Sequence, residues 1–133
     1  MTLPSWIQTP YYYSNTSVDD VQDIMDDLST KLQAIGWTNP STNVYKTVVD
    51  AWGRYLTISL TRISATILEM YMTDDRGGAG PNFRIWIAGT QTIKYYYSAS
   101  QMFVVNASDT GPYGDFLWAS LLSLTPEDEL SHN

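Results

Sequence analysis

The chain has 133 residues, a formal net charge of −7 and no cysteine, so its length suits one domain and disulfide or thiolate chemistry is excluded. Its one histidine, His132, lies next to the last residue, which argues against a histidine-based triad or metal site. The seven basic residues are scattered, which disfavours sequence-specific nucleic-acid binding, and no apolar run approaches the roughly 18 residues of a membrane span.

Residues 1–16 are predicted to form an extended N-terminal arm, because Pro4 and Pro10 discourage a helix. The first ten residues have neither a basic start nor an apolar stretch, so we expect no signal peptide. Trp6 and the tyrosine triplet at 11–13 need a surface to lie against. The arm is therefore expected to dock on its own domain or on that of a neighbour.

The clearest predicted element is an amphipathic helix over residues 17–35, at the start of a single domain that we assign to residues 17–126. Ser17 is a good N-cap with Asp20 three residues on, as in a capping box, and Gly36 is a natural stop. The apolar stripe consists of Val18, Val21, Ile24, Met25, Leu28, Leu32 and Ile35. The other face carries Asp19, Asp20, Asp23, Asp26 and Asp27.

After a loop predicted at Asn39-Pro40, the pattern changes to short runs rich in Tyr, Ile, Val and Thr, which are typical of strands. The predicted strands are residues 43–49, 55–62, 66–73, 83–88, 91–98 and 101–106. Most links between them are of hairpin length, so neighbouring strands are expected to run antiparallel. Apolar residues alternate with hydroxyl residues over 55–61, which indicates one covered and one wetter sheet face.

A second, short helix is predicted over residues 114–123, with Asp115 in its first turn and Pro126 beyond its end. Residues 127–133 would then form a flexible acidic tail. The expected fold class is α+β, an antiparallel meander sheet of five or six strands with the N-terminal and C-terminal helices packed on one face. Such a sheet leaves its other face and two edges open, which favours a homo-oligomer.

Two groups of residues invite a catalytic or ligand-binding interpretation, and a structural role fits each better. The loop at 74–80 is rich in glycine and aspartate, but its spacing matches neither a phosphate-binding loop nor an EF-hand. Glu69 with a second carboxylate would suit glycoside hydrolysis, yet a strand glutamate paired with Arg62 or Arg84 fits the pattern better. We therefore predict a non-enzymatic protein with no catalytic residue, no metal site and no cofactor.

Two tyrosine triplets, at 11–13 and 95–97, fit packing in the core and on the sheet surface best. A protein interface is the second interpretation, because tyrosine offers a large contact area at a small entropy cost, and a sugar-stacking platform is the third. The turn at 50–55 is interpreted as structural, with Arg54 able to reach Asp50 or to contact a second subunit. The candidate interface residues are Trp6, Tyr11, Tyr12, Tyr13, Arg54, Trp86 and Tyr96.

The amphipathic helix ends in Ile35-Gly36-Trp37, a meander rich in Thr and Ser follows, and the last predicted helix closes on Leu124-Thr125-Pro126-Glu127. Together with Val-Asp-Ala-Trp-Gly-Arg-Tyr at 49–55, these features resemble small virion structural proteins of tailed bacteriophages, of the neck, tail or baseplate type, over residues 17–127. The resemblance implies a non-enzymatic subunit of the virion, made in the cytoplasm of a bacterial host. It would act by self-association, with a ring as one arrangement, and by contacts with other virion proteins.

Two further hypotheses stay open at this point. An acidic binding module, such as an immunity protein or an antitoxin, would use the five helix aspartates to mask a basic partner. An enzyme or a sugar-binding domain would use Glu69 or the tyrosine triplets. None of these hypotheses involves a membrane.

Overall fold

The computed structural model describes residues 11–107 and 116–120, and within them it contains one α-helix and nine β-strands. The elements are β1 (Tyr12–Val18), α1 (Val21–Ala34), β2 (Thr38–Ser41), β3 (Val44–Lys46), β4 (Leu56–Ser64), β5 (Ile67–Asp74), β6 (Phe83–Trp86), β7 (Gln91–Tyr97), β8 (Gln101–Asn106) and β9 (Phe116–Ser120). The protein is therefore mostly β, and the broad α+β class is confirmed.

The strands form two antiparallel sheets, so the prediction of a single meander sheet is wrong. The order of the four-stranded sheet is β1-β7-β8-β9, and that of the five-stranded sheet is β2-β3-β4-β5-β6. The chain changes sheet between β6 and β7, where the backbone N–H of Ile87 still donates to Thr66 and Gly89 takes a φ of +73°. Strand β7 then pairs with β1, from the other end of the chain, and with β8.

Helix α1 begins three to four residues later than the sequence predicts. Ser17 lies in β1, opposite Thr92, and Asp20 is the N-cap, with its carboxylate accepting from the N–H of Gln22 at 2.8 Å. The shift arises because the alternation of β1 runs up to Val18, whose side chain is buried on the same core as the helix. Residues 12–16, expected in the arm, thus belong to a strand that docks on its own chain.

The end of α1 is confirmed and has the hydrogen bonds of a Schellman motif. The N–H of Trp37 donates to the carbonyl of Leu32 at 3.0 Å, and that of Gly36 donates to Gln33 at 3.2 Å. Gly36 has a φ of +106°, which glycine adopts without a steric penalty. The chain then enters β2, so the loop predicted at Asn39-Pro40 is instead an exposed edge strand.

The predicted C-terminal helix is wrong over the part that the structure describes, because Phe116–Ser120 is strand β9, paired with β8. Leu117 and Ala119 are fully buried in the core, whereas Phe116 and Trp118 are half-buried, which is the period of a strand. The remaining residues of the predicted helix, 114–115 and 121–123, lie outside the described part of the chain, as does the acidic tail.

One apolar core lies between the two sheets and α1, which packs against β1, β2 and β4. The sheets contribute every second residue of their strands, as the alternation over 55–61 predicts. Fully buried residues include Ile24, Leu28 and Leu32 of α1, Leu56 and Ile58 of β4, Leu68, Met70 and Met72 of β5, and Ile93 and Tyr95 of β7. The strand residues that point away from this core form the candidate docking surfaces.

Candidate protein-docking surfaces

The pairing of β1 with β7 brings the two tyrosine triplets together. Tyr12 lies opposite Tyr97, and Tyr13 lies opposite Tyr96. The rings of the first pair are stacked, with centroids 5.6 Å apart, and those of the second are tilted at 4.9 Å. Two segments more than eighty positions apart in the sequence thus form one tyrosine cluster, which only the long-range strand pairing creates.

The tyrosine cluster shows aromatic surface on both faces of the sheet. Tyr12 and Tyr13 are 58% and 48% exposed, and successive strand residues point to opposite faces. Tyr96 is half-buried, and burial raises its pKa above the ordinary tyrosine value. Tyr95 points into the core, as the strand alternation predicts, so it takes no part in the exposed cluster.

A row of rings continues from the tyrosine cluster across the four-stranded sheet, but it is not an exposed surface, because Phe103 is only 3% exposed and the other rings of the row are half-buried. Tyr96 contacts Phe103 of β8 at 6.3 Å between centroids, and Phe103 stacks on Phe116 of β9 at 5.6 Å. Phe83 of β6 then contacts Phe116 at 5.3 Å and Trp118 at 6.1 Å, which joins the row to the other sheet. Sequence reasoning missed this row because it placed residues 116–118 in a helix.

The turn between β3 and β4 presents Trp52, which is 82% exposed, the highest value among the large hydrophobic side chains of residues 11–107 and 116–120. The carboxylate of Asp50 accepts from the N–H of Trp52 at 2.9 Å and from that of Arg54 at 2.8 Å. The backbones of Asp50 and Arg54 are also bonded, and Gly53 donates to Asp50 with a φ of +78°. This turn is therefore internally hydrogen-bonded while its indole faces outward.

Arg54 anchors that turn to the end of β5. Its Nε lies 2.9 Å from Asp75, and its Nη2 lies 3.4 Å from Asp74. The hydrogen bond from Arg54 holds the pKa of Asp75 below its usual range. Because the Arg54 side chain is only 8% exposed, it is committed within its own chain, and we do not carry it into the proposed interface.

Trp86 lies on the outer face of the five-stranded sheet and is 45% exposed, opposite Ile67. Beside it, Arg84 donates to the Glu69 carboxylate at 2.8 Å, which confirms the strand pairing predicted for that glutamate. Tyr71, which lies in β5 with Glu69, is 43% exposed. The candidate Trp6 lies outside the described residues.

The loop at 74–80 is a strand connection held by its first residue. The Asp74 carboxylate accepts from the N–H of Arg76 at 2.9 Å and from that of Gly78 at 2.6 Å. Over residues 11–107 and 116–120, no group of three or more His, Asp or Glu side chains is placed to hold a metal ion. In the same ranges, no helix has the length and apolar character needed to cross a bilayer.

The acidic face of α1 is partly engaged within the chain. The Asp20 carboxylate accepts from Arg62, with the nearest atoms 2.9 Å apart, and this bond lowers the pKa of Asp20. Asp27 accepts from the Tyr95 hydroxyl at 2.7 Å. Three helix-region aspartates are exposed, namely Asp19, Asp23 and Asp26.

Comparisons of the chain with protein-family models, with curated proteins and with solved structures gave no match. Function is therefore inferred from the surfaces themselves. Among the interface candidates, the fold brings Tyr11, Tyr12, Tyr13 and Tyr96 together, and it places Trp86 on the other sheet and Arg54 in the turn between two strands of that sheet.

Proposed function

We propose that this protein is a non-enzymatic structural subunit that works by docking, both to copies of itself and to other proteins of a larger particle. The observation that carries the proposal is Trp52, an indole 82% exposed on a turn that hydrogen bonds and ion pairs hold in place. Tryptophan is enriched among the few residues that contribute most of the binding energy at protein interfaces.

The turn is preorganised for such a contact. The N–H groups of Trp52, Gly53 and Arg54 are already bonded to Asp50, so docking does not leave them unpaired. A rigid turn also loses little conformational entropy when it binds. Two exposed valines, Val48 and Val49, extend the apolar surface beside the turn.

The tyrosine cluster supports the same function from the other sheet. Tyr12 and Tyr13 expose about half of their surface on a strand rather than on a mobile loop. Aromatic side chains on rigid elements are typical of interface cores. The protein would thus have at least two separate contact regions, as a subunit with several neighbours requires.

The particle that we propose is a tailed-bacteriophage virion, with the protein in its neck, tail or baseplate. Support comes from the resemblance of the helix end, the segment at 49–55 and the closing Leu-Thr-Pro-Glu to small virion structural proteins. A net charge of −7 also suits a subunit that DNA passes without sticking, because like charges repel.

Light scattering of the purified chain at rising concentration tests self-association. We expect a mass that is a multiple of the 15.0 kDa monomer, and a monomer at every concentration would contradict it. Immunogold labelling of phage particles from a producing host tests the location. We expect label at the neck, tail or baseplate, and particles that lack the chain would contradict the virion assignment.

An acidic binding module is the second candidate, favoured by the exposed Asp23 and Asp26 on one face of α1. Its contacts would weaken strongly with salt, whereas contacts through Trp52 would not. The double substitution of Asp23 and Asp26 by lysine discriminates the two. If the lysine variant no longer binds a partner protein and Trp52→Ser still binds it, the acidic module is favoured over the structural subunit.

A further inference from the structure

Strand β1 lies at one edge of the four-stranded sheet. Over residues 11–107 and 116–120 it pairs with β7 alone, through seven consecutive positions from Tyr12 opposite Tyr97 to Val18 opposite Gln91. The register between them has no shift. Half of the backbone N–H and C=O groups of such a strand point away from its neighbour, along the open side of the sheet.

Edge strands usually carry features that prevent pairing with another chain, and β1 has none of those that lie within the strand itself. Charged residues, proline, bulges and short length are the common devices. Its sequence, Tyr-Tyr-Ser-Asn-Thr-Ser-Val, contains no charged residue and no proline. The edge strand β2 of the other sheet differs, because it has only four residues, contains Pro40 and has a register shift against β3.

Charge favours a second copy of this chain as the partner at this edge. Each copy carries a net charge of −7, so two copies repel at most approaches. Strand β1 has no charge, and the first acids after it are Asp19 and Asp20, beyond its end. Contact along β1 therefore sets no charged residue of one strand opposite a charged residue of the other.

Aromatic surface on both sides of β1 would add to this contact. Tyr12 and Tyr13 point to opposite faces of the sheet and are 58% and 48% exposed. A second β1 strand, antiparallel and centred on Asn15, would set Tyr12 opposite Val18 and Tyr13 opposite Ser17, so cross-strand contacts would cover part of each ring. Backbone pairing and side-chain burial would thus act together, as they do where an extended strand adds to a sheet edge.

We propose that β1 pairs antiparallel with β1 of a second copy about a two-fold axis, so that the four-stranded sheet continues across both subunits. The contact is self-complementary, because the same strand serves both sides. Asn15 is the middle residue of Tyr12–Val18, so centred pairing places it opposite its own counterpart in the other copy. This inference rests on the proposed self-association and names the surface that performs it.

The test is analytical ultracentrifugation of the full chain and of three variants. Asn15→Glu is the informative variant. Within the chain the new carboxylate lies opposite Lys94 of β7, with which it can form an ion pair, whereas between copies it lies opposite a second glutamate. We expect its dimer dissociation constant to rise at least about tenfold. Asn15→Gln should keep the wild-type constant, and Ser41→Glu on edge strand β2 should keep it too.

Hydrogen exchange of the β1 amides separates loss of the dimer from loss of the fold. In concentrated wild-type protein we expect these amides to be protected, and in Asn15→Glu we expect those not bonded to β7 to exchange while β7 and β8 stay protected. Protection that persists on the open side of β1 in a monomer would overturn the inference, because the edge would then be covered by its own chain.

The possible failures are distinguishable. A wild-type monomer at every concentration overturns both the inference and the self-association in the proposed function. A wild-type oligomer that Asn15→Glu leaves unchanged overturns only the β1 contact. Dissociation by Ser41→Glu alone would assign the contact to β2.

Discussion

The hydroxyl of Tyr95 donates a hydrogen bond to the carboxylate of Asp27, with 2.7 Å between the oxygens, and so links β7 to α1. The Tyr95 ring is buried, and the ammonium of Lys31 lies 4.8 Å from its centroid and 3.8 Å from Asp27. The same helix packs on β4 of the other sheet. This polar link therefore ties the helix to the four-stranded sheet, while its packing on β4 holds it against the other.

Tyr95→Phe should lower the free energy of unfolding by about 1.5 kcal/mol, because a hydrogen bond to a charged acceptor is lost and the ring is kept. Urea unfolding measures the change. Tyr12→Phe is the matched control, since that ring is 58% exposed and its loss of a hydroxyl should have little effect. Equal losses in both variants would contradict a special role for the link to Asp27.

The same bond predicts a loss of stability in alkali. Burial raises the pKa of Tyr95 well above the ordinary value of about 10, and the bond to Asp27 raises it further. Above about pH 10 the unfolded chain therefore releases a proton that the folded chain keeps, so the free energy of unfolding falls as pH rises. Urea unfolding at several alkaline pH values should show a smaller fall for Tyr95→Phe. A pH dependence equal to that of the wild type would contradict this cause.

The sequence predicts local elements well where one period dominates. The apolar stripe of α1 from Val21 to Leu32 and the alternation of β4, β6 and β7 are correct because each reflects burial of one face, which the residue pattern records directly. The stop at Gly36 is correct for a related reason, since the positive φ of the helix end needs glycine.

The errors concern what the pattern does not record. Residues 116–120 are a short apolar run, which fits a strand or a helix equally well until its pairing with β8 is known. The two-sheet arrangement depends on β1 pairing with β7, a contact between distant segments. The tyrosine cluster follows from that contact, so the sequence could nominate its members but could not place them together.

Gly36→Ala should destabilise the protein more than Gly53→Ala, by about 1 kcal/mol. Both glycines have a positive φ, so both variants suffer backbone strain. A Cβ at position 36 would also lie 3.1 Å from Cγ2 of Val48, whereas nothing lies within 4 Å of one at position 53. Thermal and urea unfolding of the two variants compare them directly. Equal destabilisation of the two variants would show that the Val48 side chain moves away from the added Cβ without a measurable loss of stability.

Arg54→Ala should cost about 3 kcal/mol, because it leaves two nearly buried carboxylates, Asp74 and Asp75, without their cation. Arg54 also lowers the pKa of Asp75, so part of the wild-type stability is present above about pH 4 and is lost as pH falls through the folded-state pKa. The variant should therefore lose less stability on acidification than the wild type does. Arg62→Ala removes an exposed pair with Asp20 and serves as the control, with a small effect on urea unfolding.

Replacement by alanine should affect stability at one tryptophan and association at another. Trp37 is 2% exposed, and its indole N–H donates to the carbonyl of Ser98 at 2.9 Å, so Trp37→Ala should cost about 3 kcal/mol or more in urea unfolding. Trp52 is 82% exposed on a turn whose hydrogen bonds use other groups, so Trp52→Ala should change stability by less than about 0.5 kcal/mol. Its effect should appear instead as weaker association in light scattering. If Trp52→Ala is stable and self-associates as the wild type does, the indole takes no part in self-association. Its proposed role would then be restricted to contacts with other proteins of the particle.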